Sequence, residues 1–143
     1  MIRLTNLADY AVVVMTAAAK ARDPRLSAGA VAAMTGLPTP TVAKVMGLLA
    51  RGDLLASTRG VAGGFALARP AAEITVADIV EAIDGPVALT QCVEHSGGCA
   101  LHTGCAVRPH WPLINGAVRE ALAAVTLAEI AGASAPARLS EVA

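Results

Sequence analysis

Apolar positions recur along the chain at helical spacing, broken once by a pair of short alternating runs. The first helix, capped by Thr5 or Asn6, runs to about Ala21 and carries Asp9 against the positive end of its dipole; Arg22-Asp23-Pro24 ends it. A short second helix covers Ala28 to Met34, capped by Ser27 and stopped by Thr35-Gly36. Thr39 as N-cap with Pro40 at the first helical position starts a third helix, Thr41 to Ala50. It places Val42, Val45, Leu48 and Leu49 on one face and Lys44 and Arg51 off it, and Gly52 stands where a helix stop favours positive φ.

Leu54 to Thr58 and Phe65 to Ala68 read as strands, and the six residues between them hold Gly60, Gly63 and Gly64, a hairpin tip. Three helices followed by a hairpin is the order of a winged helix-turn-helix, in which the second and third helices form the DNA-reading unit. A small helical bundle with a stray hairpin is the plainer alternative. Thr75 caps a helix from Val76 to Ile83, ended by Asp84-Gly85-Pro86, and a loop over 86–107 holds every cysteine. Beyond Pro109, the residues Trp111, Ile114, Val118, Leu122 and Val125 form one apolar stripe of a long helix. A head of this size cannot cover that stripe, so a second copy of the chain is expected to do so. Thr126 caps a terminal turn through Ile130. The expected fold is mainly α, a winged helix-turn-helix with a long C-terminal dimerisation helix. Its head spans 1–70, its linking helix, loop and dimer helix 71–131, and a frayed tail 132–143.

Composition narrows the functional classes. Of 143 residues, 55% are apolar, 33 are alanine and only three are aromatic, which favours helices whose backbones approach closely. The longest apolar stretch, Tyr10 to Ala19, ends at Lys20, short of the ~20 residues that span a bilayer. No signal peptide is evident, and an odd set of three cysteines confined to 92–105 is no secreted disulfide framework. A soluble cytoplasmic protein is expected. The formal charge is zero, yet it divides: eight basic and three acidic residues lie before position 70, three basic and eight acidic after it. A head of net +5 is suited to a polyanion.

Cys92, Cys99 and Cys105 follow the spacing C-x6-C-x5-C, with Gly97, Gly98 and Gly104 letting the backbone turn tightly between them. Three thiolates converging on one point need a cation, which argues for metal over three unrelated thiols. Structural zinc usually takes pairs two to four residues apart, so the wider gaps lean toward an iron–sulfur cluster. His95, His102 or His110 could still complete a zinc site. No oxyanion loop or orienting Asp accompanies any cysteine, so nucleophilic catalysis is not expected and the chain is read as no enzyme.

Several motifs together resemble one family. Met1-Ile2-Arg3-Leu4-Thr5 running into Asp9-Tyr10-Ala11, then Arg59-Gly60-x-x-Gly63-Gly64-Phe65-x-Leu67, Thr75-Val76-x-Asp78-Ile79-x-x-Ala82-Ile83, and three cysteines before Trp111 are similar to the IscR/NsrR/RirA winged-helix regulators, which sense iron–sulfur clusters. Asp84-Gly85-Pro86-Val87-Ala88-Leu89-Thr90-x-Cys92 and Cys105-x-Val107-Arg108-Pro109-x-Trp111 resemble the SUF-system assembly regulators within it. The resemblance implies a homodimer with crossed C-terminal helices, bound to double-stranded promoter DNA, with no small-molecule substrate and no membrane. It implies a cluster on Cys92, Cys99 and Cys105, four-iron rather than two-iron. In one branch the fourth ligand is a histidine three residues before the Trp, a place held here by Arg108; in another it is an Asp near the start of the first helix, matching Asp9 of the partner subunit. His110 is the reserve ligand. Thr39, Thr41 and Lys44 would enter the major groove, Arg51 would meet phosphate, and Arg59 would reach the minor groove from a wing shaped by Gly63 and Gly64. A zinc-stabilised or metal-free repressor is the alternative among regulators, and an iron–sulfur carrier without a DNA role the alternative outside them.

Overall fold

The computed structural model describes residues 1–94, 99–101 and 103–132. Helix α1 (Asn6–Lys20) is capped by Thr5, whose hydroxyl accepts the Ala8 N–H, and buries Ala8, Ala11, Val14 and Met15. Helix α2 (Ala28–Thr35) starts where the Ser27 hydroxyl accepts the Ala30 N–H and stops at Gly36, whose φ of 76° a residue with a side chain rarely adopts. Helix α3 (Thr39–Arg51) buries Val42, Val45, Met46 and Leu49. The inward stripe therefore uses Met46 where the periodicity suggested Leu48, which is only half-buried.

Two further details of α3 differ from expectation. Pro38 is the N-cap residue, no side chain caps the helix, and Thr39 is its first helical residue. A proline-rich approach sets the extended backbone by itself, so the Thr39 hydroxyl is not consumed in capping. At the other end Gly52 has φ −85°, and the left-handed turn falls on Asp53 at φ 58°. Gly52 is required for space: a Cβ there would lie 2.8 Å from the Cβ of Ala82.

Strands β1 (Leu55–Thr58) and β2 (Gly64–Leu67) pair antiparallel, with Leu55 opposite Leu67 and Thr58 opposite Gly64. The chain just before α2 adds a rung, because Leu26 and Phe65 exchange both backbone hydrogen bonds at 2.8 Å. A single 3-10 turn at Ala71–Glu73 leads to α4 (Val76–Asp84), started by a capping box between Thr75 and Asp78. The cysteine segment contains a short helix, α5 (Gln91–Glu94), where the sequence suggested loop throughout. After a 3-10 turn at Arg108–His110, α6 (Trp111–Ala123) ends two residues short of Val125, and α7 (Leu127–Ala131) follows from a second capping box, Thr126 with Glu129.

Helix α7 returns to the head. The Val76 N–H donates to Val125 O at 3.0 Å and the Leu127 N–H to Ile74 O at 2.8 Å, and Leu127 and Ile74 are both fully buried. The core is continuous through α1, α3, α4 and α7, with α1 packed against the other three. No described helix is long and apolar enough to cross a membrane. Of the expected tail at 132–143, Gly132 is the C-cap of α7 and 133–143 lie outside the described residues. Leu49→Ala, emptying a fully buried site on the inner face of α3, should destabilise the protein by ~2–5 kcal/mol in urea unfolding monitored by circular dichroism.

Candidate nucleic-acid interface and cysteine segment

Helix α3 has two faces of opposite character. Opposite the buried stripe lie Lys44 and Arg51, both exposed, with Gly47 between them at helical spacing. Thr39 is exposed at the helix start and Thr41 is half-buried beside it. Gly47 was not among the expected site residues, yet it is informative. A Cβ there would meet nothing within 4 Å, so the fold itself does not need a glycine in mid-helix. The signal available in the sequence was a glycine inside an otherwise good helix pattern.

The wing tip runs from exposed Arg59 to Gly63, closed by a bond from the Gly63 N–H to Gly60 O at 3.0 Å. Gly63 is obligatory, since a Cβ would lie 2.2 Å from Thr58 O, and Gly64 lies against the Leu26 backbone at φ 152°. A second arginine, which the sequence did not single out, holds this tip. Arg25 Nη1 donates to Ala62 O at 2.9 Å, while the Arg25 N–H donates to the Asp23 carboxylate at 2.9 Å. The segment entering α2 therefore braces the hairpin both through its backbone and through a cation.

The three cysteines are half-buried free thiols, Cys92 on α5 and Cys99 and Cys105 beyond it. The Thr90 hydroxyl lies 3.1 Å from Cys92 Sγ, and Thr90 O accepts the N–H groups of Val93 and Glu94 to start α5. His95, His102, Gly97 and Gly98 lie outside the described residues. Among the described residues no three His, Cys, Asp or Glu side chains are gathered closely enough to hold a metal ion. Asp9 is exposed on the first turn of α1, and His110 is exposed at the threshold of α6. The Thr5 hydroxyl that caps α1 also donates to the Asp84 carboxylate at 2.9 Å, joining the start of α1 to the end of α4.

The root of the cysteine segment is clasped between α4 and α6. Asn115 Nδ2 donates to Val87 O at 2.7 Å and Asn115 Oδ1 accepts the Leu89 N–H at 2.9 Å. Arg119, one turn further along α6, pairs with Glu81 through two bonds of 2.8 and 3.1 Å, and Glu81 also accepts the Val87 N–H at 3.4 Å. The hydrogen bond and charge of Glu81 hold the Arg119 pKa above its ordinary value. On α6, Leu113 and Ile114 are 76% and 42% exposed, and no residue of this helix is buried. An apolar cleft of about 210 Å³ separates it from Ile2 and Leu4.

Comparison with known proteins agrees with this geometry. A family model described as Rrf2, iron-dependent transcriptional regulator, matches residues 4–133. A protein of Mycobacterium tuberculosis named as an HTH-type transcriptional regulator is 31% identical over 142 residues, covering 99% of this chain and 88% of its own. The regulator IscR of Cronobacter sakazakii is 27% identical over 129 residues, covering 90% and 79%. Among solved structures, CymR, the global cysteine regulator of B. subtilis, superposes with a TM-score of 0.73 at 24% identity, covering 94% of this chain and all of its own. IscR of T. potens gives 0.66 at 22%, covering 97% and 96%.

Gly47→Ala tests the outward face of α3. The variant should be more stable by about 0.5–1 kcal/mol in thermal or urea unfolding, yet bind promoter DNA more weakly in a gel-shift titration. Equal or tighter binding would place this face away from the groove.

Proposed function

The chain belongs to the Rrf2 family of transcriptional regulators, and from that membership we propose a homodimeric, cytoplasmic, DNA-binding regulator that responds to an iron–sulfur cluster carried on its cysteine segment. DNA binding and regulation are what the family and the winged fold have in common; the cluster, its ligands and its target genes are this reading's own addition. The observation that carries it is three half-buried thiols, free of disulfides and confined to fourteen residues, on a segment clasped between α4 and α6. Thiolate is the ligand type that iron–sulfur clusters require, and half-burial leaves these thiols accessible for assembly.

Cys92, Cys99 and Cys105 would hold the cluster, four-iron in preference to two-iron, with Asp9 of the partner subunit as fourth ligand and His110 in reserve. Exposure of Asp9 on the first turn of α1 leaves it available to another chain. The open apolar positions Leu113 and Ile114 on α6, together with exposed Ile2 and Leu4, suit a second copy of this chain. Such a cluster supplies a link between subunits that iron supply or oxidation can make or break. This chain's own residues do the rest: α3 presents Thr39, Thr41 and Lys44 to the major groove and Arg51 to a phosphate, and the braced wing presents Arg59 to the minor groove. Cluster status then selects among dimer geometries through contacts made in only one of them. The SUF assembly genes are the proposed targets.

Two measurements test this. Protein purified without oxygen should be brown and contain iron and acid-labile sulfide. Asp9→Ala should retain the head's fold while losing the cluster faster in air. A colourless protein with one zinc per chain would make the segment structural. A metal-free protein with unchanged operator binding would leave a plain repressor. On the DNA side, Arg59→Ala should weaken specific binding by ~1–3 kcal/mol at moderate salt, measured by fluorescence anisotropy; full affinity would remove the wing contact.

A further inference from the structure

Helix α6 is built mainly from good helix formers and apolar residues, and Asn115 is out of character in it, since Asn competes with the helix backbone for hydrogen bonds. Its amide is spent on another segment. One donor and one acceptor engage residues 87 and 89, two apart along the chain. The side-chain amide thus spans Val87 to Leu89 with its donor and its acceptor at once. Both bonds are short, and they connect positions 26 and 28 residues apart in sequence.

The consequence passes directly into the cysteine segment. Leu89 precedes Thr90, whose carbonyl starts α5 and whose hydroxyl contacts Cys92 Sγ. On the same face of α6, Arg119 fixes Glu81, which reaches Val87 from α4. The first thiol is thus referred to α6 through three residues, and α6 is referred to α4 through one ion pair.

We infer that Asn115 is the positioning residue for Cys92: it locks the root of the cysteine segment to α6, so the place of the first thiol and the place of that helix are set together. For its functional consequence the inference rests on the cluster reading above; as a statement about the thiol it stands without it. Removing the amide leaves the Val87 carbonyl and the Leu89 N–H without their partner and frees the root to move.

The test uses metal-free full-length protein, so that it does not depend on a cluster. Asn115→Leu removes both bonds and keeps a helix former of similar size. Leu89 amide exchange should accelerate, and alkylation of Cys92 by iodoacetamide, resolved by peptide mass spectrometry, should accelerate several-fold relative to Cys99 and Cys105. Faster Leu89 exchange with unchanged Cys92 alkylation would overturn the inference, as would an equal acceleration at all three thiols, which marks general loosening. Should the Leu variant not fold, Asn115→Asp keeps the acceptor for the Leu89 N–H and should give an alkylation rate above wild type at Cys92 alone; no selective change would again overturn it. In anoxically purified protein Asn115→Leu should also release iron to a chelator several-fold faster, with its dimeric state unchanged. Absence of iron from the wild type would defeat the cluster reading and leave the alkylation contrast to decide the inference by itself.

Discussion

Close approach of helices around α1 is the constraint on which the remainder of the molecule depends. With three aromatic residues in the chain, little bulky side-chain volume is available to fill wide gaps between helices. Ala8 and Ala11 are fully buried, and side chains this small let the helices packed on α1, with α3, α4 and α7 among them, come near its backbone. The small side chains gain less from burial individually, but they give up almost no rotamer entropy. A larger residue at Ala8 or Ala11 would push apart the elements that carry the reading helix and the cysteine segment.

That packing also explains why the two functional regions are not independent modules joined by a hinge. Ile74 and Leu127 share the core with Val42 and Leu49, so the last described helix is part of the platform under α3. The end of α4 touches the start of α1 through Thr5 and Asp84, and the same helix meets α6 through Glu81 and Arg119. The polar path from the cysteine segment into the head therefore has two links in series, Glu81 with Val87 and Arg119, then Asp84 with Thr5. Both use side chains at helix ends or on partly exposed faces, where a rearrangement disturbs little of the apolar core.

Much of this was legible in the sequence where the signal is local. Ser27, Thr75 and Thr126 announce helix starts because a hydroxyl satisfies backbone donors two or three residues on, and each is found doing so. The wing could be read from its glycines, because Gly63 is demanded by contacts within its own hairpin. What escaped detection is non-local. The Leu26–Phe65 rung, the Arg25 brace and the Asn115 clasp each join positions tens of residues apart. Gly52 was understood as a backbone requirement because the approach of Ala82 cannot be seen from one segment. Thr39 fits a cap by residue type, whereas Pro38 already shapes the backbone there. At the candidate site the donor types and their spacing were legible, but their spatial relation was not, because glycine-rich connections leave it to the rest of the fold.

The extra rung at Leu26 gives the hairpin a property that a free two-stranded ribbon lacks. Two short strands alone are marginal in water. Here the hairpin is stitched to the entrance of α2 between Leu26 and Phe65 and strutted at Ala62 by Arg25, so its reach is set by the platform and not by its own tip. Within the tip Gly63 is fixed by its own hairpin, so the exposed positions Arg59, Val61 and Ala62 are where its chemistry can change. A substitution there would alter what the tip presents while the mounting, and with it the distance from the hairpin to α3, is kept by Leu26 and Arg25.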